Sequence, residues 1–227
     1  MSVFVIIPAL NEAAAVGSVL AALPKANIHT IIVIDNGSTD GTAAVAAAHG
    51  AEVLHEPIRG YGRACLCGLA YLSTRAAPDD IVVFLDADYS DDPRELPLLT
   101  QPISSGGQDL VIGSRVRFAQ AGALTPPQRF GNWLATRLIR YIYKVSFSDL
   151  GPFRAVRWQS LAAMRMRDES YGWTVEMQVK AAKMNLRCAE VDVQYRPRIG
   201  VSKISGTVRG TVLAGWKILS TIFKLMF

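Results

Sequence analysis

Short apolar runs rich in β-branched residues alternate with longer segments rich in alanine and leucine along the first half of the chain. Such alternation is typical of a parallel sheet whose strands are covered by helices. We expect Asn11 to cap the first helix and Pro24 to stop it. The pattern predicts an open α/β sheet whose ligand lies beyond the carboxyl ends of the strands. The predicted strands are 3–7, 31–34, 52–55, 81–85 and 110–112, and the predicted helices are 12–23, 39–48 and 62–76.

The hydrophobic pattern changes after Ser114. Pro126 and Pro127 open a segment whose apolar residues recur at helical spacing. The remaining predicted elements are a helix over 174–183, a strand over 189–195, a loop rich in glycine and serine over 198–206, and an amphipathic helix over 207–227. We predict one domain over 1–206, with 207–227 as a C-terminal helix that either belongs to it or lies at a membrane interface.

Composition narrows the classes of function. The chain has 24 lysines and arginines against 19 acids over 227 residues, an excess too small and too dispersed for a dedicated nucleic-acid binder. The first residues lack the basic region and the cleavage site of a signal peptide. Because Lys217 and Lys224 divide the most hydrophobic segment, no run is long enough to span a membrane. We expect a cytoplasmic protein with free thiols at its three cysteines and with membrane contact that is at most peripheral.

Two acids, Asp86 and Asp88, directly follow the apolar run 81–85. In an extended chain, side chains two residues apart point to the same side, so both carboxylates would face one ligand. Two hard oxygen donors suit Mg²⁺ or Mn²⁺, and such an ion can bridge a nucleotide diphosphate. The spacing also fits a solvated turn, since more acids and a proline follow at 91–93.

Two other predicted strands also lead into acids. Asp35 follows the run 31–34 and begins a tight turn, and Glu12 closes the segment Pro8-Ala9-Leu10-Asn11-Glu12 after the first strand. An acid at such a place can accept hydrogen bonds from a base or a ribose, although these residues also suit turns and helix caps. Three strands that lead into acids on one rim predict a nucleotide site there.

Five segments of the chain carry motifs in a recognisable order, namely residues 7–12, 35–42, 59–62, 86–88 and 112–115. Together they resemble glycosyltransferase family 2 and, within it, the soluble dolichyl- or polyprenyl-phosphate sugar transferases. The resemblance implies a GT-A fold, which is a Rossmann-like α/β fold with a mixed, mostly parallel sheet flanked by helices. It also implies a nucleoside diphosphate sugar as donor, Mg²⁺ or Mn²⁺ as cofactor, and inversion at the anomeric carbon.

The resemblance assigns donor-binding roles to residues of the first four of these segments and of the loop near the C-terminus. Asp86 and Asp88 would hold the metal and the diphosphate, and Asp88 would be catalytic. The loop would fold over the diphosphate once donor and metal are bound. The donor-binding residues implied are Pro8, Asn11, Glu12, Asp35, Gly37, Arg59, Gly60, Gly62, Asp86, Ala87, Arg198, Ser202 and Lys203.

The acceptor side of the sequence leaves two hypotheses open. Segment 149–154 resembles a shortened form of the family's acceptor-side motif. Asp149 and Glu176 are the candidate bases for a soluble or saccharide hydroxyl acceptor. A polyprenyl phosphate is already an anion and needs positive charge instead, for which Arg115 and Arg129 are the candidates. We predict transfer of a hexose from a GDP- or UDP-linked donor to a polyprenyl phosphate, with the hydroxyl acceptor as the alternative.

The C-terminal segment 207–227 mixes large apolar residues with cations, as a helix at a bilayer interface does. Trp133, Tyr141 and Tyr143 could form a neighbouring membrane-facing surface. Packing on the protein's own core, or on a second subunit in a homodimer, is the alternative. A protein that binds a nucleotide sugar without turnover is disfavoured because both acids at 86 and 88 are present.

Overall fold

The computed structural model describes residues 1–200 and 208–226, and within them a seven-stranded sheet in the order β3-β2-β1-β4-β6-β5-β7. β6 runs antiparallel to both of its neighbours, and every other pair of adjacent strands is parallel. The predicted mixed, mostly parallel sheet is confirmed. The strands are β1 Val3–Ala9, β2 Thr30–Asp35, β3 Glu52–His55, β4 Ile81–Phe84, β5 Leu110–Ser114, β6 Arg154–Arg157 and β7 Cys188–Asp192.

Helices cover both faces of this sheet. Alternate residues of β1 enter opposite cores, with Val5 on the face covered by α1, α2 and α4 and Ile6 on the face covered by α3 and α5 to α8. The helices are α1 Ala13–Ala22, α2 Thr42–Ala48, α3 Tyr61–Leu72, α4 Leu96–Ser104, α5 Pro126–Tyr143, α6 Trp158–Met164, α7 Trp173–Lys183 and α8 Val208–Lys224, with 3-10 turns at Lys25–Asn27 and Pro93–Glu95.

The predicted cap of the first helix is wrong. Asn11 adopts a left-handed conformation with φ 54°, which asparagine tolerates better than most residues. Its side chain accepts a hydrogen bond from the Thr39 amide at 2.7 Å, and α1 starts at Ala13 without a side-chain cap. Asn11 therefore ties the end of β1 to the turn after β2.

The sequence pattern does not predict three elements, α4, β6 and α6. α4 contains Pro97 and Pro102, which favour a loop when the sequence is read alone. β6 has the sequence Arg-Ala-Val-Arg, and its first arginine is fully buried. The Arg154 guanidinium donates to the carbonyls of Leu150, Gly151 and Thr174, so backbone oxygens satisfy a cation inside the core.

The C-terminal helix α8 packs against α5 and α7. Ile222 is fully buried, and its carbonyl accepts a hydrogen bond from the Tyr143 hydroxyl at 2.7 Å. On the other side of the helix, Trp216 is 72% exposed and Phe223 is 49% exposed. One face of α8 therefore belongs to the core, while the other presents aromatic groups to the surroundings. None of the helices described is both long and apolar enough to cross a membrane.

Candidate active site

A cavity of about 580 Å³ opens at the sheet edge where β1, β2 and β4 end. Parallel strands bring their carboxyl ends to one edge, which is why segments distant in sequence meet there. The residues predicted for donor binding that line this cavity are Pro8, Asn11, Glu12, Arg59, Gly60, Asp86, Ala87, Asp88 and Arg198. We call it the donor cavity.

The two acids after β4 are each anchored through one oxygen. Asp88 Oδ1 accepts hydrogen bonds from the Ser90 amide at 2.9 Å and the Ser90 hydroxyl at 2.6 Å. Asp86 Oδ1 accepts one from the Tyr61 hydroxyl at 3.1 Å. Burial raises the pKa of Asp86 to about 7, and the neighbouring Asp88 charge adds to this rise, while Tyr61, Arg115 and Arg198 counteract it. A cation in the cavity would favour the ionised form of Asp86.

Arg198 already supplies a positive charge to this cavity. Its guanidinium lies 2.5 Å from Glu12 Oε1 and 3.1 Å from Asp88 Oδ2, and so bridges acids that follow two different strands. The Ile199 amide also donates to the Asp88 carbonyl at 2.9 Å. Ser202 and Lys203, the other predicted residues of this loop, lie outside the described residues.

The segment Arg59 to Gly62 packs tightly against a second loop. A Cβ atom on Gly60 would overlap the carbonyl of Glu169, and one on Gly62 would overlap the carbonyl of Asp168. Glycine is required by this contact, so Gly62 supports the cavity without lining it. Asn36, which sequence reasoning passed over, accepts a hydrogen bond from the Gly60 amide at 2.7 Å and holds the same segment.

Asp35 and Gly37 lie beside the donor cavity and not in its lining. Asp35 Oδ1 accepts a hydrogen bond from the Ser38 amide at 3.0 Å, and Oδ2 lies 3.3 Å from His55 Nδ1. Gly37 adopts φ 77°, which favours glycine in this turn. The contacts of Asp35 and Gly37 are those of a turn, which was the alternative to nucleotide binding. Contact of these residues with a nucleoside stays a prediction.

A second cavity, of about 460 Å³, contains both arginines predicted for the acceptor, Arg115 and Arg129. It lies between α5, α8 and the segments after β5 and before β6, and we call it the acceptor cavity. Its wall combines these cations with polar Asn132 and Ser148. The apolar part of the wall includes Leu124, Trp133, Leu150 and Ile218.

Asp149 forms an ion pair with Arg115 and is only 1% exposed. The Arg115 guanidinium contacts both carboxylate oxygens at 2.7 Å, and the Arg115 amide donates to one of them at 2.8 Å. Although burial opposes it, this pairing lowers the pKa of Asp149. An enclosed, ion-paired carboxylate is a poor proton acceptor. In this geometry Asp149 orients Arg115, and its role as a base stays a prediction.

A family comparison decides the identity of this arrangement. The profile described as Glycosyl transferase family 2 matches residues 4–167. The chain belongs to glycosyltransferase family 2. It is similar to an uncharacterised glycosyltransferase of Mycobacterium tuberculosis, with 38% identity over 96% of this chain and 98% of the relative. It is also similar to the undecaprenyl-phosphate mannosyltransferase of Micrococcus luteus, with 30% identity over 92% of this chain and 90% of that relative.

Solved structures agree with the GT-A fold of this family 2 glycosyltransferase. Glucosyl-3-phosphoglycerate synthase of Mycobacterium tuberculosis, in complex with Mn²⁺, UDP and phosphoglyceric acid, superposes with a TM-score of 0.78. The match covers 99% of this chain and 78% of the synthase, at 23% identity. The predicted family and fold are thus confirmed.

Glu176 is the other candidate base, and in this family 2 glycosyltransferase it is buried on α7. Its carboxylate accepts hydrogen bonds from the amides of Arg167 and Asp168 and lies 2.6 Å from Lys180 Nζ. Neither Glu176 nor Asp149 is among the described residues that line the two cavities. Glu176 thus holds the loop that packs on Gly60 and Gly62, and its role as a base stays a prediction.

Asp91 is a buried acid that the sequence analysis mentions only in the alternative of a solvated turn. It is 1% exposed, and neither carboxylate oxygen has a hydrogen-bond partner among the described residues. Burial, with the nearby charge of Asp86, raises the pKa of Asp91 well above its usual range. No pattern in the sequence distinguishes it from the exposed acids of a turn, because its β-bridge partner, Tyr195, lies more than a hundred residues away.

Proposed function

We propose that this glycosyltransferase moves a hexose from a GDP- or UDP-linked donor to a polyprenyl phosphate, with inversion at the anomeric carbon. The observation that supports this acceptor most directly is the pairing of Arg115 and Arg129 with an apolar wall in one cavity. Two guanidinium groups suit a phosphate, and the apolar wall suits the first isoprene units. Arg115 also lies close enough to Asp86 for its charge to lower the pKa of that carboxyl, which links the two cavities.

We further propose that Asp86 and Asp88 hold Mg²⁺ or Mn²⁺ together with the donor diphosphate. Carboxylate oxygens are the ligands that these hard cations prefer, and the Arg198 guanidinium beside Asp88 shows that this place accepts positive charge. No set of three or more acidic, histidine or cysteine side chains within 1–200 and 208–226 is arranged for a metal, so the diphosphate would complete the coordination. When bound, the ion would neutralise charge on the leaving diphosphate.

Some residues of the chain would neutralise charge on the leaving diphosphate, and others would position the acceptor phosphate. Arg198 would contact the diphosphate and stabilise the negative charge that develops as it leaves. Arg115, oriented by Asp149, would work with Arg129 to hold the acceptor phosphate with one oxygen toward the sugar. Because a phosphate oxygen is already ionised at neutral pH, this reaction needs no protein base. The enclosed positions of Asp149 and Glu176 are compatible with that chemistry.

The outer surface of α5 and α8 supports the proposed peripheral contact with a membrane. Tyr141 is 77% exposed and Trp216 is 72% exposed. Cations lie among these aromatic groups, with Arg137 over the Trp133 ring and Lys144 over the Tyr141 ring. Amphipathic aromatic groups with neighbouring cations suit the interface of an anionic bilayer. The acceptor cavity lies between the same two helices.

A soluble acceptor is the second candidate. The synthase structure contains phosphoglyceric acid, a small phosphate compound. Arg115 and Arg129 could hold such a phosphate without using the apolar wall. In that case a hydroxyl would be the nucleophile, and it would need a base that neither Asp149 nor Glu176 supplies in this geometry. This difficulty makes the lipid phosphate the better supported acceptor.

A pair of variants on one helix tests the acceptor proposal. Arg129→Ala removes a cation of the acceptor cavity, while Arg137→Ala removes a cation of α5 outside its lining. We expect Arg129→Ala to raise KM for undecaprenyl phosphate by about tenfold or more, as the loss of one charge-assisted contact predicts, and to leave donor KM unchanged. With the acceptor in neutral detergent micelles, where the proposed membrane-facing cations have no anionic bilayer to contact, Arg137→Ala should retain wild-type acceptor KM. Equal acceptor KM in all three proteins would contradict the proposal, as would transfer to phosphoglyceric acid alone.

A further inference from the structure

Tyr61 is the only residue between the two glycines at 60 and 62, and its hydroxyl donates to Asp86 Oδ1 at 3.1 Å. The arrangement parallels that at Asp88, where Ser90 occupies Oδ1 and Oδ2 faces the Arg198 guanidinium. In each acid, one oxygen is therefore anchored by a hydroxyl of the protein. Anchoring fixes the rotation of a carboxylate and so the direction in which its other oxygen points.

The backbone around Tyr61 is held from two sides. Gly60 and Gly62 allow the first turn of α3 to lie directly against the carbonyls of Glu169 and Asp168. The Asn36 amide group donates to the carbonyls of residues 56 and 58 and accepts from the Gly60 amide, which fixes the entry to the helix. The Tyr61 ring packs against the buried core of this face. The hydroxyl is thus carried by a rigid support, as precise orientation of a ligand requires.

We propose that Tyr61 is a positioning residue for the metal ligand Asp86, and that the segment Arg59 to Gly62 serves to place its hydroxyl. This inference rests on the proposed metal site at Asp86 and Asp88. The hydroxyl orients the Asp86 carboxylate so that both acids present an oxygen to one cation. Tyr61 touches neither the metal nor the reacting atoms in this role; it acts through Asp86. The two glycines are then needed because a larger residue would push the first turn of α3, and the hydroxyl with it, away from the acid.

The test compares Tyr61→Phe with Tyr71→Phe in the full-length protein. Both tyrosines lie on α3, and both hydroxyls donate to a carboxylate. The Tyr71 hydroxyl donates to Glu52 Oε2 at 2.5 Å, and Glu52 lies outside the donor cavity. Each variant keeps its ring and loses one hydroxyl. Binding of Mn²⁺ is measured by the electron paramagnetic resonance signal of the free ion, first alone and then with GDP or UDP, whose diphosphate would complete the coordination; nucleotide without protein is the blank. We expect Tyr61→Phe to weaken Mn²⁺ binding by roughly tenfold, which is the smallest loss usual when a group that orients a metal ligand is removed. Tyr71→Phe should bind Mn²⁺ as the wild type does.

A second readout separates positioning from a general loss of structure. Raising the Mn²⁺ concentration should restore the turnover of Tyr61→Phe toward the wild-type level, while the melting temperature without metal stays close to wild type. Equal Mn²⁺ affinity in Tyr61→Phe and wild type would overturn the inference and leave the proposed metal site intact. Failure of the wild type to bind Mn²⁺ both alone and with GDP or UDP, or binding that Asp86→Asn does not weaken, would overturn the metal site itself and the inference with it.

Discussion

The Arg198 guanidinium lies 3.1 Å from Asp88 Oδ2, at the place where a donor diphosphate and its cation would meet. The same side chain contacts Glu12 at 2.5 Å. A positive side chain in this position has two opposite consequences. It attracts the diphosphate of the donor, and it competes with a divalent cation for the Asp88 carboxylate.

Arg198→Ala should therefore weaken donor binding without weakening metal binding. We expect the variant to bind a nucleoside diphosphate at least about tenfold more weakly, because a charge-assisted contact is lost. We expect Mn²⁺ without nucleotide to bind as tightly as in the wild type or more tightly, because the competing cation is gone. Calorimetric titration with each ligand measures both.

Arg117→Ala provides the matched control, since this exposed arginine pairs with Asp192 at 3.4 Å and lies outside the donor cavity. Both affinities should match the wild type in this variant. Weaker Mn²⁺ binding in Arg198→Ala would show that the arginine supports the metal site instead of competing with it.

The raised pKa of Asp86 makes metal binding depend on pH. Below about pH 7 this half-buried carboxyl is mostly protonated and must lose its proton before it can bind a cation. With a pKa of about 7, Mn²⁺ affinity should rise about tenfold between pH 6 and pH 8 and level off above. Titrations with Mn²⁺ across this range measure the rise.

Asp91→Asn is the control for this pH dependence, because it removes a buried carboxyl near Asp86 whose pKa is also raised. The rise should persist in Asp91→Asn if Asp86 is the titrating group. A flat affinity profile from pH 6 to pH 8 would contradict the assignment.

The same raised pKa has the opposite effect on the free energy of unfolding of the metal-free protein. In the folded protein the Asp86 carboxyl stays protonated while in the unfolded protein it ionises. Its contribution to the free energy of unfolding therefore falls as the pH increases from about 4 to about 7.

The two faces of α8 predict separate effects on stability and on membrane binding. Ile222→Ala empties a fully buried site and should cost about 2–5 kcal/mol of unfolding free energy. The double change Trp216→Ala and Phe223→Ala alters exposed side chains, so its unfolding free energy should stay near the wild-type value. Chemical denaturation measures both.

The same exposed-face variant tests contact with lipid. Trp216→Ala with Phe223→Ala should reduce sedimentation with vesicles that contain anionic lipid, since it removes the largest exposed apolar groups of the helix. If the wild-type protein does not sediment with such vesicles, the proposed peripheral membrane contact is contradicted. Because Ile222 belongs to the core, these point variants are a cleaner test than deletion of the helix.

The strongly patterned elements of the fold could be predicted from the sequence. β3 occupies the predicted residues 52–55, and α7 begins one residue before its predicted start. Buried parallel strands produce continuous apolar runs, and helices produce a different period, so local sequence is enough for them. α4 and β6 could not be predicted, because the prolines of α4 and the arginines of β6 do not fit the local pattern of a helix or a strand. Tertiary contacts decide the conformation of both elements.

The candidate site divides along the same line. The acids and glycines of the donor cavity could be predicted because they follow recognisable strands in recognisable motifs. The partners of those groups could not be predicted. A carboxylate such as Asp149 is a common type of catalytic base. The hydrogen bonds that pair it with Arg115, however, join residues 34 positions apart, and no local pattern indicates them. Tyr61 and Asp86 are 25 positions apart, and no period in the chain indicates that their side chains meet.

Transfer of labelled hexose to undecaprenyl phosphate in vesicles tests the central claim most directly. The assay uses GDP- and UDP-linked donors with Mn²⁺ and compares the wild type with Asp88→Asn and Asp79→Asn, the latter an exposed acid paired with Arg157 at 3.0 Å. We predict a lipid-linked sugar product from the wild type and Asp79→Asn, and no product from a folded Asp88→Asn. Lipid-linked product formed equally by Asp88→Asn, or labelled sugar found only on soluble acceptors, would contradict the claim.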